Sequence, residues 1–198
     1  MLVKSNDLQD YLTDASFIRD GYADRVMLPD TIDEVAAALS EANRDRTPVT
    51  VSGAGTGTVG GRVAFGGIVL ATDRLNRIKL VDLTNLTAVA EAGVILSDFQ
   101  RSVESEGLFY PPDPTERGCF LGGTVATNAS GARTFKYGPT RNYIAGLKVV
   151  LASGEVLDLK RGEVYADSER RLRVGKTIVL QLPNLRMPAT RKNATGYF

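Results

Sequence analysis

The residues most able to do chemistry in this sequence sit in two glycine-rich strings. The first runs Ser52-Gly53-Ala54-Gly55-Thr56-Gly57-Thr58-Val59-Gly60-Gly61. The second runs Gly122-Gly123-Thr124-Val125-Ala126-Thr127-Asn128-Ala129-Ser130-Gly131. Glycine reaches positive φ and lacks a Cβ, so such a run lets neighbouring backbone N–H groups converge on one anion. In the second string Thr127, Asn128 and Ser130 add hydroxyl and amide groups for directional hydrogen bonds, while the small residues permit close backbone approach. Pro111-Pro112-Asp113-Pro114 gives that string a rigid, extended lead-in, and Lys136-Tyr137-Gly138 follows it. Two strings of this kind suit the two ends of a long dinucleotide.

Other chemistries are bounded by composition. The 198 residues include no histidine, the commonest general base and metal ligand, so acid–base work would fall to Asp, Glu, Lys or Tyr, or to polypeptide outside this chain. One cysteine, Cys119, excludes an internal disulfide or a cysteine-cluster metal site and suits a reducing cytosol. Lys+Arg number 24 against 23 Asp+Glu, a balance without the basic footprint of a nucleic-acid binder. Met1-Leu2-Val3-Lys4-Ser5-Asn6 lacks the apolar stretch of a signal peptide, and no segment reads as a membrane span; a soluble, cytoplasmic protein is expected.

The strings need elements to position them. Leu8, Tyr11, Leu12 and Ala15 at helical spacing predict a short amphipathic helix. Arg25 to Leu28 is a short apolar run stopped by Pro29. Thr31 and Glu34 match a capping box opening a helix that ends near Asn43. Pro48 to Val51 reads as a strand entering the first string, and Ile68 to Thr72 as a strand buried on both faces. This order predicts a small α/β subdomain at about residues 20–82. Beyond it, Ile78 to Asp82 and Thr87 to Ala92 alternate as strands with one wet face. Leu96, Phe99 and Val103, closed by Gly107, mark a helix. Asn142 to Ala152 and Val156 to Lys160 flank the turn Ser153-Gly154, Arg161 to Lys176 reads as a solvated hairpin or excursion, and Thr177 to Leu182 as a strand. A mostly antiparallel second subdomain at about 83–198 results, with the glycine strings facing each other between the two.

Context discriminates among phosphate loops. A doubly wound dinucleotide fold needs a helix starting inside the first string, but Gly60-Gly61-Arg62-Val63-Ala64-Phe65-Gly66-Gly67 is too glycine-rich to propagate one. The Gly-Lys-Ser/Thr ending of a nucleoside-triphosphate loop is missing too. Some tempting side chains have plainer readings. Arg161, Arg170, Arg171, Arg173, Lys176, Arg186, Arg191 and Lys192 are interspersed with Glu163, Asp167 and Glu169, as on a solvated face. Glu104 and Glu106 form a helix end, and Asp113 a proline turn. Tyr137 suits either a cofactor contact or a core position.

Val51 to Gly61, Pro111 to Gly138 and Lys192-Asn193-Ala194-Thr195-Gly196-Tyr197, taken together, resemble the flavin domain of the vanillyl-alcohol-oxidase-type FAD-linked oxidases. The similarity is to the glycolate oxidase, D-lactate dehydrogenase and D-2-hydroxyglutarate dehydrogenase branch. It implies an α+β, PCMH-type FAD-binding fold, two subdomains with FAD between them. By that resemblance Ser52, Gly53, Ala54, Gly55, Thr56, Gly57, Thr58, Gly60 and Gly61 would cradle the pyrophosphate. Pro112, Gly122, Gly123, Thr127, Asn128, Ser130, Gly131, Tyr137 and Gly138 would line the rest of the cofactor, and Ile144 would touch it through its backbone. Ser52 and Ala54 stand where the family usually has Arg and Gly. Relatives that bind flavin covalently use a histidine near the position of Thr56, or a cysteine near Cys119. With no histidine, and nothing beside Cys119 to depress its pKa, noncovalent FAD is expected.

In relatives the Lys-x-x-x-Gly-Tyr segment leads into a second domain that caps the flavin, binds substrate and supplies the base or metal ligands. The resemblance therefore implies the cofactor half of an oxidoreductase acting on a small 2-hydroxy acid, with the α-hydrogen passing as hydride to flavin. The catalytic groups would lie in a cap domain or a partner subunit, and no catalytic residue or metal is assigned to this chain. A sugar-acid or lactone oxidase, a cell-wall nucleotide-sugar reductase, or a noncatalytic flavin carrier are the alternatives. Pro111-Pro112-Asp113-Pro114 and Asn128-Ala129-Ser130-Gly131 favour the hydroxy-acid branch.

Overall fold

The computed structural model describes residues 9–174, 178–184 and 189. Its centre is a parallel three-stranded sheet of β1 (Arg25–Met27), β2 (Val49–Ser52) and β3 (Ile68–Ala71), with β3 in the middle. All four β3 residues are buried. Alternation explains why: Val69 and Ala71 face a cluster with Leu12, Val26, Leu28 and Ala64, while Leu70 faces Val35, Ala38 and Leu75 on the other side.

Helix α1 (Ile32–Arg44) is the crossover from β1 to β2. The Thr31 Oγ1 accepts from the Glu34 N–H at 3.2 Å, as expected of the cap. The reciprocal bond falls one residue early, because the Glu34 carboxylate accepts from the Asp30 N–H at 2.6 Å. The helix ends one residue beyond the expected Asn43.

Three antiparallel hairpins follow: β4 (Ile78–Asp82) with β5 (Thr87–Ala90), β6 (Gly146–Val150) with β7 (Val156–Lys160), and β8 (Arg171–Val174) with β9 (Ile178–Gln181). The β4–β5 hairpin straddles Asp82. Helix α2 (Leu96–Ser105) closes it, packing Phe99 and Val103 against Ile78, Val81, Ala88 and Ala90. Gly107, at φ 77°, ends that helix as its spacing predicts. Val150 of β6 joins the α1 side of the parallel sheet, tying this hairpin to the first layer.

Several expectations are corrected. The amphipathic helix expected over Leu8 to Ala15 is a single 3-10 turn, Gln9–Tyr11, and Leu8 lies outside the described residues. Its apolar side chains still do what their spacing suggested, since Leu12 is buried and Tyr11 packs against the same core. The strand expected over Asn142 to Ala152 is shorter, because Thr140–Tyr143 coils into a 3-10 turn. Of the two readings of Arg161 to Lys176, hairpin or excursion, the hairpin holds for its last part, where β8 pairs with β9. The second glycine string folds as helix α3 (Leu121–Ala126), followed by α4 (Thr134–Tyr137).

A helix containing Gly122-Gly123 runs against intrinsic propensity. Tertiary bonds overcome it. The Leu121 and Gly122 N–H groups, orphans of a first helical turn, donate to the Val94 and Ala92 carbonyls at 2.9 and 2.8 Å. That approach is so close that a Cβ on Gly122 would stand 2.7 Å from the Ala92 methyl.

Candidate functional site

Both glycine strings hang from one lattice of backbone bonds. The Ser52 carbonyl, at the buried end of β2, accepts from the Thr72 N–H at 3.0 Å and the Thr72 hydroxyl at 3.2 Å. The Gly93 N–H then donates to the Leu75 carbonyl, and Gly122 to Ala92, so the ends of β2 and β3 lead directly to the start of α3. A Cβ at Gly53 would lie 3.9 Å from the Phe120 ring, one residue before α3. The first string thus starts close to the residue that precedes α3.

The two strings do different work. Among the described residues, no backbone N–H from Gly53 through Arg62 donates to a protein acceptor. Gly53, Ala54, Gly55, Thr56 and Gly60 are nevertheless half-buried; Gly57, Thr58 and Gly61 are exposed. The backbone donors of this run are thus left unused by the described protein. In the second string most of the amides are taken. Thr124, Thr127, Asn128 and Ala129 donate to carbonyls within the string or just before it, and the Gly131 N–H donates to the Thr134 hydroxyl at 2.7 Å.

The side chains of the second string are partly committed as well. The Asn128 Oδ1 accepts from the Arg141 N–H at 3.0 Å, with Asn128 itself at φ 46°, and the Thr127 hydroxyl donates to the Gly123 carbonyl at 2.9 Å. Ser130 is exposed. The Pro112 carbonyl accepts from the buried Gln100 amide at 2.9 Å. The Tyr137 carbonyl accepts from the Tyr143 hydroxyl, and its ring sits edge-on to Phe109 at 5.7 Å. Gly138 ends α4 at φ 86°. Ile144 was expected to offer its backbone, but its N–H donates to the Arg141 carbonyl and its carbonyl accepts from Arg161 Nε. The segment Lys192 to Tyr197 lies outside the described residues.

The space in front of the strings tests whether a dinucleotide fits. A Cβ added at Gly57, Gly61 or Gly123 would meet nothing within 4 Å, and none of the three has positive φ. Among the described residues the protein gives no reason for glycine there. A ligand lying against the backbone does, and the unpaired N–H run supplies donors for a phosphate. Hollows of 410 and 370 Å³ lie elsewhere, the first along Gln9 to Arg19 and the second between Ile32, Lys79 and Lys148. Neither is lined by the glycine strings, which form an open face.

Three residues that sequence reasoning passed over, Arg62, Gln100 and Glu91, and one that it read as a turn former, Asp113, support the segments around the strings. Arg62 sits beneath the first string, donating to Gly53. Gln100 fixes the proline lead-in; a polar residue on the buried phase of α2 was the available signal. The Asp113 carboxylate, read as a turn former, accepts from Arg117 at 2.8 and 3.1 Å and stands 3.3 Å from Arg133, while its own backbone lies against Gly131. Glu91 ends the β5 segment with hydrogen bonds from Arg77 and an ion pair with Lys79; burial pushes its pKa up, but these partners outweigh burial and hold it at about 2. Cys119 is buried, which pushes its thiol up and away from reactive thiolate. Among the described residues no cluster of His, Cys, Asp and Glu suits a metal ion, and no helix is long and apolar enough to cross a membrane.

Comparison with known proteins decides what kind of site this is. Residues 23–160 match a family described as an FAD binding domain. The chain belongs to that family. It is 44% identical over 128 residues to a D-lactate dehydrogenase of Anaerostipes hadrus, covering 64% of this chain and 27% of the relative. It is 41% identical over 149 residues to the glycolate oxidase subunit GlcD of Bacillus subtilis, covering 74% and 32%. The chain thus spans about a third of the length of the curated relatives it matches. Among solved structures, alkyldihydroxyacetonephosphate synthase shares the fold, with a TM-score of 0.65 at 24% identity over 71% of this chain and 29% of that one. The α+β, PCMH-type fold expected from the sequence is the fold observed.

Proposed function

We propose that the chain is the cofactor-binding part of an FAD-dependent oxidoreductase that oxidises a small 2-hydroxy acid of the glycolate, D-lactate or 2-hydroxyglutarate type. The observation that carries the cofactor reading is the run of unpaired N–H groups from Gly53 to Gly61 beside glycines faced by open space. The substrate class is supported by the names of the relatives and by the two motifs of the second string.

In this reading the N–H groups of Gly53 to Gly61, with Ser52 closing the strand end, hold the pyrophosphate. The outward face of α3 and the turn after it, chiefly Gly123, Thr127 and Ser130, lies along the rest of the cofactor. Gly122, Asn128, Gly131 and Gly138 shape that surface from within. The two subdomains meet near Asp82, where the β4–β5 hairpin joins them. Bound FAD supplies a two-electron acceptor for an alcohol carbon. The chain's own residues bind and orient it, and the base and substrate contacts come from a C-terminal domain or partner subunit. FAD is held without a covalent bond, because the Cys119 thiol is buried and raised and the chain has no histidine. A reducing compartment, the cytoplasm, suits that free thiol.

Equilibrium dialysis against FAD tests the reading. Wild-type chain is expected to retain FAD, and Gly57→Ala to retain it about tenfold less tightly, since a methyl group would stand where the phosphate lies. Equal retention by both would remove the first string from the site.

A further inference from the structure

Resting on the reading that the first string receives a pyrophosphate, we infer that Arg62 and the segment from Gln9 to Ala15 form a brace that aims this string's N–H groups, with Arg62 as a positioning residue. Arg62 faces inward. Its Nε donates to the Thr13 carbonyl at 3.0 Å and its Nη1 to the Gly53 carbonyl at 2.7 Å, while the guanidinium lies 5.7 Å from the centre of the Tyr11 ring. From the same segment the Ala15 N–H donates to the Gly55 carbonyl at 3.1 Å. Two alternate carbonyls of the string are thereby drawn back toward the N-terminal segment.

The consequence follows from peptide geometry. In a trans peptide the C=O and the next N–H point in opposite directions. Holding the Gly53 carbonyl inward turns the Ala54 N–H outward, and holding the Gly55 carbonyl inward does the same for Thr56. An anion site needs this sorting, because a carbonyl swung toward a phosphate would repel it. Gly55 itself is held at φ 75°, with the place of a Cβ only 2.7 Å from the guanidinium carbon, so the brace and the glycine are fitted to each other.

Arg62 is kept in place electrostatically. Burial lowers its pKa, and Asp73, Tyr11, Asp14 and Asp10 act against that shift. Asp14 and Asp73 each have one buried carboxylate oxygen without a hydrogen-bond partner among the described residues, an arrangement the nearby cation makes tolerable. Leu12 anchors the segment in the core beside β1 and β3. Residues 9–15 precede the matched family span of 23–160, and Arg62 lies within it.

Amide exchange of the chain without ligand, and titration with FAD and FMN, test the brace together. In Arg62→Met the amide of Ala15, which donates to the Gly55 carbonyl, is expected to exchange about tenfold faster, with FAD weakened about tenfold and FMN, which lacks the pyrophosphate, changed less than about twofold. Arg62→Lys, with one donor at shorter reach, is expected to recover part of both. Tyr11→Leu, which removes the ring beside the guanidinium, gives the same pattern more weakly and serves if Arg62→Met does not fold. Unchanged exchange overturns the brace; unchanged exchange with weakened FAD would make Arg62 a direct ligand instead. Equal losses of FAD and FMN would reduce Arg62 to general stability and likewise overturn it. If the wild-type chain takes up no FAD, the cofactor reading fails by itself, and the exchange comparison still decides the brace.

Discussion

Gly122 and Gly123 are neighbours in one helical turn, yet the structure asks different things of them. Gly122 has no room for a side chain, since its Cβ would press on Ala92, whereas a Cβ on Gly123 would point into open space. Gly122→Ala is therefore expected to destabilise the chain by about 1–3 kcal/mol through overpacking. Gly123→Ala is expected to raise stability by about 0.5–1 kcal/mol through helix propensity while weakening FAD. Thermal melts read the first pair of effects and flavin titration the second; a Gly123→Ala variant with unaltered FAD binding would take α3 out of the site. The residue types of the first string were legible because its chemistry lies in the backbone, and glycine is the visible sign of that. Arg62 was not, because its partners at Thr13 and Gly53 are set by the fold and leave no spacing in the sequence.

At the scale of elements, legibility followed periodicity. β4 and β7 match their expected spans, α1 opens at its expected cap and ends one residue late, and α2 lies where apolar spacing and Gly107 put it. The second string was illegible as a helix because two glycines and a run of small residues hide the pattern, and tertiary hydrogen bonds to the Val94 and Ala92 carbonyls decide it. Likewise, a short apolar segment at the N-terminus buried its side chains without needing more than one turn. Glu91 shows an element held by charge where β5 ends. Its folded pKa, about 2, lies below the ordinary carboxylate value. The stabilisation is thus complete above that ordinary value and is lost as pH falls toward about 2. Glu91→Gln is expected to cost about 1–3 kcal/mol near neutral pH, because Arg77 and Lys79 lose a buried charged partner. The loss should shrink on acidification, as read by urea unfolding at several pH values. A cost that does not change with pH would mean the charge is unimportant.

At the scale of the whole molecule, the described residues present Gly57, Gly61 and Gly123 to open space. In the proposed reading the adjoining strings and their unused amides serve the cofactor, and among the described residues no comparable feature marks a substrate site. The chain alone is expected to show no turnover of D-lactate, glycolate or 2-hydroxyglutarate with an artificial electron acceptor; robust turnover would place the catalytic groups within these residues. The central claim, noncovalent FAD on the glycine strings, is tested most directly by the absorbance spectrum of the purified chain with FAD, before and after acid precipitation. The account predicts a protein-bound flavin spectrum whose colour stays in the acid supernatant and is identified as FAD. A chain that takes up no FAD, or whose colour remains with the precipitate through Cys119, would contradict it.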